Sequence, residues 1–183
     1  MKILAFAGSL RSGSYNRKLL KVAVEILDGQ AEIDLLDLRD VPMPIYDGDI
    51  EQSQGLPEGA KLFKQRIAAA DALLMATPEY NNSVPGGLKN AIDWASRPPG
   101  NPFRGKVVLL IGASPGKFGA ARSVLAVRQI LNALLAIVIP QTVLLPRADQ
   151  AFDESGNLKE ALVLASLEKA CAELLRVAAA LKR

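Results

Sequence analysis

Val107-Val108-Leu109-Leu110-Ile111-Gly112 carries no polar side chain at any position. A strand with one wet face alternates apolar and polar residues, because successive side chains point to opposite faces. This run does not alternate, so both of its faces are buried. Such strands belong to parallel sheets with helices on each side. The rest of the chain repeats the theme. Lys2–Ala7, Ile33–Leu38, Ala72–Ala76 and Ile137–Leu145 read as four more strands, the last interrupted by Pro140. Apolar residues at helical spacing mark helices at Tyr15–Leu27, Gly59–Ala70, Pro85–Ser96, Ala120–Leu135 and Leu158–Leu181. The stretch from Pro42 to Pro57, rich in Pro, Gly and Asp, reads as a long surface loop. Five strands alternating with five helices predict one α/β domain over residues 1–183. Its parallel sheet is doubly wound, in the order 2-1-3-4-5, with helices on both faces.

The 183 residues are 50% hydrophobic and 22% charged, a balance that folds without metal or disulfide staples. There is no histidine, which excludes Ser-His-Asp, Cys-His and histidine-metal chemistry together. The single cysteine, Cys171, lies in an Ala/Leu-rich helix and reads as inert packing. Met1–Gly8 is too short an apolar run for a signal peptide and no run is long enough to span a bilayer, so a cytoplasmic protein is expected. The net charge of +3 is scattered, and aromatic residues are few. Nucleic-acid binding is therefore not indicated, although a basic balance helps attract small anions.

In a doubly wound sheet, ligands bind beyond the carboxyl ends of the strands, where the strand order switches. Three loops lie there. The first, Gly8-Ser9-Leu10-Arg11-Ser12-Gly13-Ser14-Tyr15-Asn16-Arg17, leads into a helix. A helix N-terminus offers unpaired N–H groups and partial positive charge, and hydroxyls with a guanidinium beside it cradle a phosphate. A single capping serine is all that a helix start requires. With Ser14 or Ser12 as that cap, Ser9, Arg11 and Asn16 together are not accounted for. The loop lacks the G-x-G-x-x-G fingerprint, so a terminal phosphomonoester suits it better than a bridging pyrophosphate. The second loop contains Thr77-Pro78-Glu79-Tyr80-Asn81-Asn82-Ser83-Val84-Pro85. Its stiff backbone, one flat side chain and several amide partners suit a planar heterocycle. The third, Gly112-Ala113-Ser114-Pro115-Gly116-Lys117-Phe118-Gly119, is not a P-loop. Its spacing is too short, and Phe118 stands where magnesium needs a Ser or Thr. It reads as a backbone surface that approaches a ring.

Gly8-Ser9-Leu10-Arg11-x-Gly13-Ser14-Tyr15-Asn16, Thr77-Pro78-Glu79-Tyr80-Asn81 and Ser83-Val84-Pro85-Gly86-Gly87-Leu88-Lys89-Asn90-Ala91-Ile92-Asp93-Trp94 resemble the NADPH-dependent FMN reductase family, in its quinone and chromate reductase branch. Pro42-x-Pro44-x-Tyr46-Asp47 is similar to that family's second loop. The resemblance runs over nearly the whole chain. It implies a flavodoxin-like fold, a non-covalently held FMN, and NADPH or NADH as co-substrate. By resemblance, Ser9, Arg11, Ser14 and Asn16 hold the FMN phosphate, with Tyr15 and Arg17 nearby. Pro78, Glu79, Tyr80 and Asn81 line the ribityl chain and isoalloxazine, and Ser114, Pro115 and Gly116 face the ring from the other side. The family also implies a dimer, or a tetramer of dimers. Contacts are then expected from Asp93, Trp94 and Arg97 and from the segment Pro42 to Tyr46.

The implied activity passes hydride from NAD(P)H through the flavin to a small-molecule acceptor by a ping-pong scheme. Quinones, chromate, azo compounds and free flavin are all candidate acceptors. The scheme needs no histidine, no thiolate and no metal; Tyr80 and Glu79 are acid or base candidates by position only and are assigned to binding. The alternative is a flavodoxin-type electron carrier without turnover; such carriers are usually acidic, which this chain is not. Asp37, Asp40, Asp47 and Asp49 read as a solvated rim. One departure from the family is the order Gly119-Ala120-Ala121-Arg122, where two adjacent glycines often precede Ala-Arg. With Lys117 just upstream, it bears on access to the ring and on the second substrate.

Overall fold

The structure is a computed structural model that describes residues 1–182. Five parallel strands, β1 (Lys2–Ala7), β2 (Glu32–Leu36), β3 (Ala72–Thr77), β4 (Val107–Ala113) and β5 (Ile137–Leu145), form one sheet in the order β2-β1-β3-β4-β5. This is the flavodoxin-like arrangement expected from the sequence. Every residue of β3 and β4 is buried, as is β1 after Lys2. The two-residue period of these strands divides their side chains between two cores. Ile3, Ala5, Leu74, Leu109 and Ile111 join one core with helices α1 (Tyr15–Leu27) and α6 (Ala161–Leu181). Leu4, Phe6, Leu73, Met75, Val108 and Leu110 join the other, with α3 (Glu58–Ala69), α4 (Gly86–Ala95) and α5 (Ala121–Ala133). In the second core the Phe6 and Phe63 rings meet edge to face, their centroids 5.2 Å apart.

Three local readings are corrected. Residues 42–57 are not all loop: α2 spans Gly48–Gln54. Asp47 caps it by accepting from the Asp49 N–H at 2.8 Å. The helix buries none of its residues, so it leaves no apolar periodicity to read. The second strand ends at Leu36 rather than Leu38, because the Asp37 side chain turns the chain into a 3-10 turn over Leu38–Asp40. The fifth strand is bulged at Pro140 rather than broken. Its register against β4 slips between Val108 and Leu110. Arg128 fills the gap, donating to the carbonyls of Val138 and Ile139 and to Thr142 Oγ1 at 2.9–3.1 Å. Cys171 packs against α1 with its Sγ 3.9 Å from the Ala23 carbonyl, and burial pushes its thiol up to about 12. No helix among the described residues is long and apolar enough to cross a membrane.

The segment after β2 is held by close backbone approach and by α4. A Cβ on Gly59 would sit 2.3 Å from the Pro42 carbonyl oxygen. Asn90 on α4 accepts from the Tyr46 N–H at 2.7 Å and donates to the Pro44 carbonyl at 2.8 Å. The Trp94 Nε1 donates to the same carbonyl at 2.8 Å. Gly59→Ala is therefore expected to cost about 1–3 kcal/mol of stability. In urea unfolding it should lower the midpoint and leave the slope unchanged.

Candidate functional site

The loops after β1, β3 and β4 converge on one cavity of about 70 Å³ at the carboxyl end of the sheet. Ser9, Arg11, Ser14, Tyr15 and Asn16 form one wall. Pro78, Glu79 and Tyr80 form a second, and Ala113, Ser114 and Pro115 a third. Ten of the twelve residues chosen from the sequence thus meet in one place. Asn81 and Gly116 stand outside the lining. The cavity is of headgroup size. Whole small-molecule sites occupy roughly 300 Å³ or more, so it can enclose only part of such a ligand.

Each wall has its own local cause. The first is the start of α1. Ser14 is the N-cap residue, is buried, and makes no capping bond with its side chain. Its hydroxyl and that of buried Ser9 therefore sit beside a helix N-terminus that has no side-chain cap of its own. Asn16 lines the cavity and also ties two of its walls together. Its Oδ1 accepts from the Ala113 N–H at 2.9 Å and its Nδ2 donates to the Ala113 carbonyl at 2.8 Å. Both ends of the amide help join α1 to the end of β4, and its nitrogen carries a second N–H. Arg17, expected nearby, turns away and pairs with Asp37.

The second wall is a tight turn. Tyr80 and Ser83 exchange two backbone hydrogen bonds of 3.0 and 3.1 Å. Asn81 and Asn82 between them have φ of 50° and 60°. Positive φ at both central residues is the pattern of a type I′ turn, which favours asparagine. The Asn-Asn pair is thus a turn signal as well as a source of side-chain amides. Tyr80 keeps a half-exposed ring beside the cavity. The Glu79 carboxylate points onto the start of α5, accepting from the Arg122 and Ser123 N–H groups at 2.9 and 3.3 Å.

The third wall is stiffened by the segment after β5. Ser114 donates its N–H to the Leu145 carbonyl, and Ala148 donates to the Ser114 carbonyl, both at 3.1 Å. Ser114 Oγ accepts from the Gly116 N–H at 3.1 Å. Gly119 has a φ of 56°, and a Cβ there would lie 2.8 Å from the Leu145 nitrogen. Phe118 and Lys117 are exposed at the tip.

Not all the expected rim and interface residues are free. Asp37 lies between Arg17 and Arg39 and caps the Arg39 N–H, so it is an internal ion-pair residue rather than part of a solvated rim. The Arg39 guanidinium first, then the Arg39 N–H and Arg17, hold its carboxyl at about 2 against the opposing effect of burial. Trp94, expected at a contact with a second copy, is fully buried in its own chain, where its ring meets Tyr46 at 5.0 Å. Asp93 pairs with Lys89 at 2.8 Å, and Arg97 lies over the Tyr46 ring at 5.4 Å. Among the described residues, no group of three or more Cys, Asp or Glu is placed to hold a metal ion.

Residues 1–150 match the family described as NADPH-dependent FMN reductase. The chain is 45% identical over 159 residues to an NAD(P)H-dependent FMN reductase of Pseudomonas aeruginosa, covering 86% of this chain and 84% of that one. It is 41% identical over 140 residues to a quinone reductase of Escherichia coli, covering 76% and 73%. The flavoenzyme NAD(P)H:(acceptor) oxidoreductase of Paracoccus denitrificans has the same fold, with a TM-score of 0.83 and 32% identity over 98% of this chain and 97% of that one.

Two predictions follow from the site's geometry. Asn16→Ala leaves the buried Ala113 N–H and carbonyl unpaired and should cost about 1–3 kcal/mol. Asn16→Asp should be no better, because a carboxylate cannot donate to the Ala113 carbonyl; thermal melts of both variants check this. For Asp37, the folded carboxyl titrates below its unfolded value, so its contribution is full above about pH 4 and is lost as pH falls towards about 2. Asp37→Asn should lower stability at neutral pH and flatten the dependence of stability on pH across that window.

Proposed function

Because the chain belongs to the NADPH-dependent FMN reductase family and is a flavin-dependent NAD(P)H oxidoreductase, we propose that its three convergent loops hold FMN and that a quinone is its acceptor. One observation carries the placement of the cofactor. Two buried serine hydroxyls, the Arg11 side chain and a helix N-terminus without a side-chain cap line one cavity of headgroup size. That donor set fits a phosphomonoester, which needs several donors and positive charge. Ser9, Arg11, Ser14 and Asn16 would take the phosphate, with Tyr15 beside it. Pro78, Tyr80 and Asn81 would line one side of the ring, and Ser114, Pro115 and Gly116 the other.

Bound FMN supplies the two-electron chemistry, accepting hydride and passing it on. The protein positions its partners. Tyr80 offers a half-exposed aromatic face beside the cavity, where a nicotinamide or a quinone ring can lie. One open face serves the nicotinamide first and the acceptor second, which is a ping-pong order. Lys117, exposed in the loop after β4, would attract an anionic acceptor or the additional phosphate of NADPH. Quinone is the preferred acceptor class because the Escherichia coli relative is a quinone reductase; chromate reduction on the same face is a further expectation. The relatives named here are reductases rather than electron carriers.

A second copy of the chain is proposed to pack beside the site. A hollow of about 350 Å³, lined by Leu10, Val41, Pro42, Met43 and Gly87 among others, adjoins the first loop. Ile45 stands next to it with 86% of its surface exposed. A large apolar side chain so exposed favours burial by a partner.

The purified protein should show flavin absorption bands that bleach on anaerobic addition of NADPH and return when a quinone is added. Protein that shows no flavin, even after incubation with FMN, would overturn the reading. Ser14→Ala and Arg11→Ala should each weaken FMN binding about tenfold, the worth of one charge-assisted hydrogen bond. Riboflavin, which lacks the phosphate, should bind these variants and the unmodified protein alike. Initial rates at several quinone concentrations should give parallel double-reciprocal lines.

A further inference from the structure

Helix α5 begins without the residue that ought to cap it. Its N-cap position is Ala120, which has no side-chain acceptor and adopts a left-handed backbone, with φ of 68° and ψ of 26°. Its first turn contains no acidic residue. The cap comes instead from a different loop. Glu79, two residues beyond the end of β3, accepts from the Arg122 N–H at 2.9 Å and the Ser123 N–H at 3.3 Å through Oε2. Its Oε1 accepts from Arg122 Nη1 at 3.2 Å. The side chain is only 12% exposed. Beneath it, the Thr77 and Ser123 hydroxyls share a buried hydrogen bond of 2.8 Å between the same two elements.

These contacts join the end of β3 and the loop after it to the first turn of α5, which follows directly on the loop after β4. The Arg122 guanidinium that pairs with Glu79 also lies over the Phe118 ring, 4.5 Å from its centroid. Gly119 and Ala120, between Phe118 and the helix, take consecutive left-handed conformations. The start of α5 therefore fixes where the loop from Ser114 to Gly119 ends. We infer that Glu79 is a positioning residue: capping α5 from the neighbouring loop, it sets the gap between the two walls that take the flavin ring, and so sets flavin affinity without a bond to the flavin. This rests on the FMN reading above. It separates Glu79 from Ser14 and Arg11 by mechanism, since a change of gap is felt by the ring and not by the phosphate.

The test uses apoprotein carrying Glu79→Gln or Glu79→Ala, titrated with FMN and with riboflavin and followed by quenching of flavin fluorescence. It is run at a temperature at which circular dichroism shows each variant folded. Glu79→Ala should bind both flavins about tenfold more weakly, within the usual range for coupling between neighbouring sites. Glu79→Gln, whose amide oxygen still accepts, should fall between. Amide hydrogen exchange at Arg122 and Ser123 should quicken in Glu79→Ala even without flavin. Equal affinity of the folded Glu79→Ala variant and the unmodified protein for both flavins would overturn the proposal and leave Glu79 a stabilising cap only. A loss confined to FMN would also overturn it, because it would place the effect at the phosphate. If the unmodified apoprotein binds neither flavin, the FMN reading itself has failed and this inference falls with it.

Discussion

Three adjacent strands, β1, β3 and β4, have almost no solvent-facing residue, and the rest of the molecule answers that constraint. Apolar side chains leaving both faces of a sheet require a helical layer on each side. The connections then rise from the carboxyl ends of the strands, and at the β1–β3 switch they diverge to opposite faces. The cavity lies in the cleft that this divergence opens. No separate device is needed to create it, because the burial pattern of the strands already sets its place.

Placing a cleft is easier than holding it open at a fixed width. Loops at the end of a sheet are mobile unless tied, and three ties here run from one loop to another part of the fold. Asn16 joins α1 to Ala113 at the end of β4 with two buried hydrogen bonds. Glu79 joins the loop after β3 to the start of α5. Ser114 joins the loop after β4 to Leu145 and Ala148. A buried hydrogen bond contributes about 1 kcal/mol, and a charged one about 1.5–3 kcal/mol. These are small against the whole core. They are large against the stability of a single loop, which is the quantity that decides whether a ring-shaped slot keeps its width.

How far this could be read from the sequence follows from the kind of signal each feature leaves. Five strands and five of the six helices were legible, because continuous apolar runs mark strands buried on both faces and a period of 3.6 marks helices; the sheet order followed from the number of strands. The helix α2 was not, since it buries nothing and is announced only by Asp47 and the acidic residues after it. The three site loops were legible as a group because their position follows from the sheet. The division of labour within them was not. Asn16, Glu79, Asn81 and Asp37 are polar residues in the right loops, and composition cannot say whether such a side chain faces a ligand or its own backbone. The structure sends Asn16 to Ala113, Glu79 to α5, and Asp37 to two arginines, and it places Asn81 in a turn with positive φ. The Asn-Asn pair did carry a readable turn signal.

The departure at Ala120 acquires a physical meaning from the same geometry. A left-handed backbone costs an alanine about 1–2 kcal/mol that a glycine avoids. Two factors oppose that cost. The methyl group is buried, which returns about 0.8 kcal/mol. The Glu79 carboxylate also holds the turn beyond it with three hydrogen bonds, each charge-assisted. The strain is therefore sustained by a neighbour in another loop, not by the residue's own contacts alone. An alanine here is tolerable because α5 is anchored from outside. That anchor reaches the helix from the loop that carries Tyr80, so the site wall and the strained turn are stabilised by the same carboxylate.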